Sequence, residues 1–387
     1  MWIGMKRTYE SLFGRLSVPV LLSAPDNIYY SIGFSTTARR PAQIGLNVVL
    51  MTKETTWFVF PENWKPLVEE QEYDEKVILI PYPRTAGEPA ETIVQLLDSL
   101  REDGCSHRLE LGFEKERLEL ELYLQLEDAL RRRGRSIHWQ DISSSLRRAR
   151  LVKSKEELQA MRKSAQVARE AMEYAKTILC PGKSEMEIVA ELEYFMRKKG
   201  SEGVPFTMKV LSGENAARTI NLPGERRIRP GDVVLLDFGA VVEHYASDWT
   251  RSFAIEKADS QLIKMYELVW KIEQECIAAV RPGVSFAELM ACAERVLENH
   301  PLKPWFNPYL GHSIGLNSQE WPSIVPGTDM VLQKNMVITI EPGIYVPGAG
   351  GVRIEDEVLV TEDGYEILTG LSKEEFVIRG EGDRTIW

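Results

Sequence analysis

The chain has 387 residues, 44% of them apolar, and its 47 basic and 58 acidic side chains give a net charge of −11. That length predicts two domains, and the acidic balance argues against a nucleic-acid or anionic-membrane partner. No run approaches the ~20 apolar residues of a membrane span, and the start MWIGMKRTYE lacks the apolar core of a secretory leader.

Residues 1–150 read as an α/β domain. VPVLLSA, IGLNVVLMT, TWFVFP and KVILIPY are apolar runs of strand length, separated by turn residues. AETIVQLLDSLRED and LELELYLQLEDALRRR place apolar residues three and four apart, the spacing of a helix with one buried face. Cys105, Cys180, Cys276 and Cys292 lack CxxC spacing and read as free thiols of a reducing, cytoplasmic compartment.

Near residue 150 the chain turns basic and then strongly helical, which sets the domain boundary; the second domain is 151–387. Ser154 with Glu157 three residues later has the pattern of a capping box, and this helix is expected to end by Pro181-Gly182. A second helix is expected from Ser184 to Gly200, and two more over 259–281 and 285–299.

Five short apolar stretches each carry one or more costly polar groups: VVLLDFGA, HYASDWTRSF, YLGHSIGL, MVITIEPGIY and GVRIEDEVLV. Asp237, Asp248, His312, Glu341 and Glu355 are therefore candidates for one site. A hairpin centred at Val242–Glu243 would set Asp237 opposite Asp248, and one centred at Gly348 would set Glu341 opposite Glu355. Like charges so opposed repel unless protons or cations lie between them. Four carboxylates and one imidazole suit two hard or borderline divalent cations, with manganese, cobalt, zinc and iron(II) all chemically admissible.

These motifs, their order, and the steps of 11, 29 and 14 residues (Asp237 to Asp248, His312 to Glu341, Glu341 to Glu355) resemble the creatinase/aminopeptidase superfamily, the M24-type metallopeptidases, and its Xaa-Pro dipeptidases in particular. The resemblance implies a creatinase-like N-terminal α/β domain followed by an α+β pita-bread catalytic domain. It implies a homodimer with two metal ions per chain, by family habit Mn²⁺ or Co²⁺, acting on a dipeptide or other small molecule. Asp237 would hold one ion, His312 and Glu341 the other, and Asp248 and Glu355 both. The implied reaction is hydrolysis of a C–N bond, with Glu341 shuttling a proton to the leaving nitrogen.

Around this set, Arg251 and Arg353 are expected to orient carboxylates, and Tyr245 to line the site or pack in the core. His244, on the expected turn, is a further candidate. Arg39 or Arg40 would bind a substrate carboxylate in a partner's site, or are solvated surface arginines. Two positions depart from the family pattern. A gap-free reading puts Ile220 where peptidase relatives carry a histidine, and Gln319 stands where they carry a second. Isoleucine donates no hydrogen bond, and glutamine does not become a cation near neutral pH. The sequence thus also admits a non-peptide amide or amidine hydrolase, a metal-dependent lyase of the same fold, or a metal-binding protein without catalysis.

Overall fold

The structure, a computed structural model, describes residues 18–35, 46–83, 89–100 and 108–379; Arg39 and Arg40 lie outside them. The chain divides into two compact units, Met1–Arg150 and Leu151–Trp387.

In the first unit the short apolar runs become strands of one mixed six-stranded sheet: β1 (Val20–Leu22), β2 (Val48–Met51), β3 (Thr56–Pro61), β4 (Val77–Tyr82), β5 (Arg108–Phe113) and β6 (Ser136–Asp141), in the order β4-β3-β2-β1-β5-β6. Both faces are covered. One carries helix α1 (Pro25–Ile32) over Val20, Leu22, Val49, Met51 and Phe58; the other carries α2 (Ala90–Ser99) and α3 (Leu120–Arg132) over Leu21, Val48, Leu50 and Val59. Burial on both faces explains why β1, β2 and β3 read as continuous apolar runs instead of alternating ones, while edge strand β4 leaves Ile78 exposed.

The second unit opens with α4 (Lys155–Ile178) and α5 (Glu185–Lys198), then later α6 (Ser260–Ala278) and α7 (Phe286–Leu297). Ser154 and Glu157 form the expected capping box, and Ser184 with Glu187 and Ser285 with Glu288 form two more. Each box satisfies end-of-helix N–H groups that would otherwise lack partners.

Two sheets accompany the helix pairs. The first has four strands: β7 (Lys209–Ser212), β8 (Val233–Phe238), β11 (Trp249–Ile255) and β19 (Val377–Ile378), in the order β19-β11-β8-β7. The second has five, in the order β13-β12-β14-β17-β18: β12 (Gly311–Ser313), β13 (Glu320–Ile324), β14 (Val337–Ile340), β17 (Asp356–Val360) and β18 (Tyr365–Ile367). Two small hairpins complete the unit: β9 (Val241–Val242) with β10 (Tyr245–Ala246), and β15 (Gly343–Val346) with β16 (Gly350–Arg353).

Strand β8 shows how this architecture creates an interior polar site. Its even residues Val234, Leu236 and Phe238 pack with α4 and α5, while Val233 and Leu235 pack with α6, α7 and the five-stranded sheet. Side chains alternate along a strand, so Asp237 falls on the second face, toward the sheet whose strands carry or flank His312, Glu341 and Glu355. That direction follows from burying both faces, each fully buried aliphatic or phenyl side chain contributing about 1.5–3 kcal/mol.

Candidate metal centre

Five strand ends converge at the site. Asp237 is the penultimate residue of β8 and Asp248 immediately precedes β11. The pairing register sets Asp237 opposite Thr250, not opposite Asp248. The turn centre is Glu243–His244, both at positive φ, one residue beyond the expected centre. Moving a hairpin centre by one residue shifts the pairing by two. That shift keeps side chains on the same face, so both aspartates still serve one site.

The other hairpin is centred at Gly348 as expected. Ile340 pairs with Asp356 on one side and Gly343 with Arg353 on the other, which brackets Glu341 and Glu355 as opposed residues. His312 sits at a bulge in β12. Its predecessor must be glycine, because a Cβ on Gly311 would lie 2.0 Å from the Thr339 carbonyl oxygen.

Asp248, His312 and Glu355 each offer a ligand atom, all within 4.8 Å of one another, and all three residues are buried. His312 Nε2 lies 3.2 Å from Glu341 Oε1 and 3.6 Å from Asp248 Oδ2. His312 Nδ1 faces the Ser313 carbonyl oxygen at 3.0 Å. With one proton on Nδ1 donated there, Nε2 is left facing the carboxylates, where it bonds Glu341 when protonated and would offer its lone pair to a cation when not. Thr339 braces the group: its hydroxyl accepts from the His312 backbone N–H at 3.1 Å and donates to Glu341 Oε1 at 3.2 Å. Thr250 donates to Glu355 Oε2 at 2.7 Å. Glu355 Oε1 is buried with no hydrogen-bond partner.

The electrostatics divide these groups into two sets. Burial, with Glu341 and Asp237 nearby, pushes Glu355 up to about 8. Burial, then Glu355, Asp237 and Glu341, raises Asp248 well above the usual carboxylate range. Burial alone would lower His312, but the Glu341 hydrogen bond raises it. Asp237 goes the other way: burial opposes ionisation, yet Arg353 and Lys209 hold it below its ordinary value. An orphaned buried oxygen among crowded carboxylates is stabilised by a cation or by protons. The all-oxygen set with one imidazole fits a hard or borderline divalent ion.

Arg353 is the main brace for Asp237. Its Nη2 donates to Asp237 Oδ2, its Nε to Thr250 Oγ1 at 3.1 Å, and its Nη1 to the Tyr345 hydroxyl at 2.8 Å. The tyrosine reaches there because two glycines leave room. A Cβ on Gly343 would lie 2.4 Å from the Tyr345 hydroxyl, and one on Gly351 would lie 2.7 Å from the ring.

Several expected neighbours are elsewhere. Arg251 is buried, but it donates to the Glu355 carbonyl oxygen and to Asp356 Oδ1, each at 2.7 Å, and not to the Asp248 carboxylate. Register explains this: Arg251 is one residue from Thr250 and so faces away from Asp237. Tyr245 donates to Glu157 on α4 at 3.1 Å, so the tyrosine at the site is Tyr345. His244, at the hairpin tip, pairs with Glu202 (Nδ1 to Oε2, 3.2 Å). Ile220 is 95% exposed, its side chain in solvent. Gln319 does approach: its Nε2 lies 2.5 Å from the Tyr309 hydroxyl, and the Tyr309 ring centroid is 6.2 Å from that of His312.

Sequence reasoning missed Lys209, Thr250, Thr339, Tyr345 and Glu357. Glu357 accepts the Asp248 backbone N–H at 2.6 Å. Its alternation with Glu355 in IEDEV is a visible signal, as are the two-residue steps from Asp248 to Thr250 and from Thr339 to Glu341 and the place of Tyr345 at the end of MVITIEPGIY; Lys209 depends on long-range pairing.

Comparison with known proteins follows the same division of the chain. The Creatinase/Prolidase N-terminal domain model matches residues 19–152 and the Metallopeptidase family M24 model matches residues 159–362. A Xaa-Pro dipeptidase of Pyrococcus horikoshii is 30% identical over 355 residues, covering 92% of this chain and 93% of the relative. A putative dipeptidase of Bacillus subtilis is 31% identical, covering 91% and 93%. Among solved structures, a Xaa-Pro dipeptidase from Bacillus anthracis superposes with a TM-score of 0.85 at 29% identity, covering 97% of this chain and 99% of that one. The prolidase from Pyrococcus horikoshii OT3 superposes at 0.83 and 28%, covering 96% and 99%. The chain therefore belongs to metallopeptidase family M24, with a creatinase-type N-terminal domain and a pita-bread metallohydrolase domain.

Proposed function

We propose that the chain is a Xaa-Pro dipeptidase whose 151–387 domain holds two divalent cations through Asp237, Asp248, His312, Glu341 and Glu355. The observation that carries the metal assignment is the unpartnered buried oxygen of Glu355 beside Asp248 and His312. The substrate class rests on the relatives, which are named as Xaa-Pro dipeptidases over nine-tenths of this chain.

Bound there, divalent cations would supply Lewis acidity toward a carbonyl and lower the pKa of water. The chain's own groups do the rest. Thr250, Thr339 and Arg353 fix the directions of Glu355, Glu341 and Asp237. Glu341, whose Oε1 accepts from Thr339 and lies 3.2 Å from His312 Nε2, would take a proton from water and deliver it to the leaving nitrogen. Tyr309, held by Gln319, stands close beside His312 as one wall. The donor set admits manganese, cobalt, zinc or iron(II), of which family habit favours manganese or cobalt, and a homodimer in the cytoplasm belongs to the same reading; unpaired Cys180, Cys276 and Cys292 suit a reducing compartment.

The test is hydrolysis of a panel of Xaa-Pro dipeptides by Mn²⁺-reconstituted protein. Turnover that Asp248→Ala lowers by about 10³-fold or more supports the proposal. No turnover of any member, from protein carrying its metal, refutes the peptidase assignment and shifts it to a non-peptide amide or to the lyase reaction.

A further inference from the structure

Asp237 differs from the other four proposed ligands in already carrying cations of the protein's own. Lys209 lies directly opposite it, on β7, and its Nζ is 2.7 Å from Asp237 Oδ2. Arg353 donates to that same oxygen. Among the described residues, no lysine or arginine bonds the side chains of Asp248, His312 or Glu355.

The two cations on Asp237 are not equally fixed. Arg353 is buried and tied at three points, to Asp237, Thr250 and Tyr345. Lys209 has this one ion pair, its side chain is 30% exposed, and its ammonium lies 5.5 Å from the centroid of the Phe206 ring. A lysine is a point charge on a flexible stem and can swing without disturbing a network. A divalent ion chelated by Asp237 would stand within a few ångströms of that ammonium, in a buried setting where like charges repel strongly.

We propose that Lys209 is an internal competitor for the Asp237 cation position. The first ion binds at Asp248, His312 and Glu355 with Lys209 still on Asp237. The second ion enters by displacing the ammonium, so the two positions fill in order and with unequal affinity. The inference rests on the ligand assignment proposed above. It assigns Lys209 a role in setting metal occupancy, as a positioning residue that gates Asp237.

The experiment is titration of the metal-free full-length chain with Mn²⁺ by calorimetry, with metal per chain counted by elemental analysis after equilibrium dialysis. The expected wild-type result is one ion bound tightly and a second at least tenfold more weakly. Lys209→Met, which keeps the stem and removes the charge, is expected to lower the second Kd by tenfold or more and leave the first within about threefold. Lys209→Arg, which keeps a cation in reach, should preserve the weak second step. Lys209→Gln serves in place of the methionine variant if the latter unfolds, judged by its thermal midpoint. Two equal wild-type sites, or a second Kd unmoved by removing the charge, would overturn the role of Lys209 alone. No binding, or a first step indifferent to Asp248→Ala, would overturn the ligand assignment and the Lys209 role with it.

Discussion

Replacing Arg353 by methionine tests the account of how the site is held. The guanidinium is buried and meets three acceptors, Asp237 Oδ2, Thr250 Oγ1 and the Tyr345 hydroxyl. Methionine fills much of the same space and satisfies none of them. Removing one partner of a buried ion pair costs about 3–5 kcal/mol, because the remaining charge stays desolvated. Lys209 still contacts Asp237, which places the expected loss for the metal-free chain near the lower end, about 3 kcal/mol. A bound dication can replace the lost positive charge, so saturating Mn²⁺ should recover part of that loss. Freeing Asp237 and Thr250 should also cost about 10–100-fold in metal affinity or activity, the usual effect of removing a group that orients ligands. Urea unfolding with and without Mn²⁺, beside kcat/KM, measures both. A metal-free destabilisation below about 1 kcal/mol would refute the reasoning, since it would mean that Asp237 does not depend on Arg353.

Two other outcomes follow from groups with shifted pKa values or altered partners. Burial, followed by nearby Asp26, raises Glu114 to about 7. Its folded value exceeds its unfolded value, so its ionisation costs nothing below about pH 4.5, a growing amount up to about pH 7, and a constant ~3 kcal/mol above that. Glu114→Gln should therefore stabilise the chain at pH 8 and have little effect at pH 5; equal urea midpoint shifts at the two pH values would contradict this. Gln319→Ala removes one neutral hydrogen bond to Tyr309 and should lower kcat/KM by about 2–10-fold, with the loss absent if Tyr309 is already phenylalanine.

The parts of this structure that were legible in the sequence are those fixed by local chemistry. Ser154 and Glu157 lie three residues apart, and nothing beyond that spacing is needed to form the box. Gly348 adopts a φ of 80°, which glycine accepts freely, and it marked the second hairpin's centre. The first hairpin carries no such mark. Its central residues Glu243 and His244 have φ of 49° and 67°, values that turn sequences usually entrust to asparagine or glycine. The pairing was therefore misjudged by two residues. The aspartates nonetheless stayed on the right face, because strand parity survives an even shift. Lys209 acts at Asp237 from a neighbouring strand 28 residues away, and no local spacing could reveal it, whereas Thr339 alternates with Glu341 inside one motif and its second bond, to His312, needs the fold.

The absent histidines look different once the site is seen in space. A histidine's use there would be to donate a hydrogen bond, and the sequence offered no donor at Ile220. The structure places Ile220 in solvent and brings the Tyr345 hydroxyl to Arg353, which in turn holds Asp237. An arginine has no acceptor, so in the Arg353–Tyr345 contact the tyrosine oxygen must receive. Its own O–H proton therefore remains to be given to another group. Burial raises the Tyr345 pKa, which keeps that proton in place at neutral pH. Gly343 and Gly351 have no side chain where the ring and hydroxyl must pass, so the position is built into the hairpin. Tyr345 closes the stretch MVITIEPGIY four residues after Glu341, so its neighbourhood was marked in the sequence, while the approach of its hydroxyl to Arg353 across the hairpin depends on strand pairing.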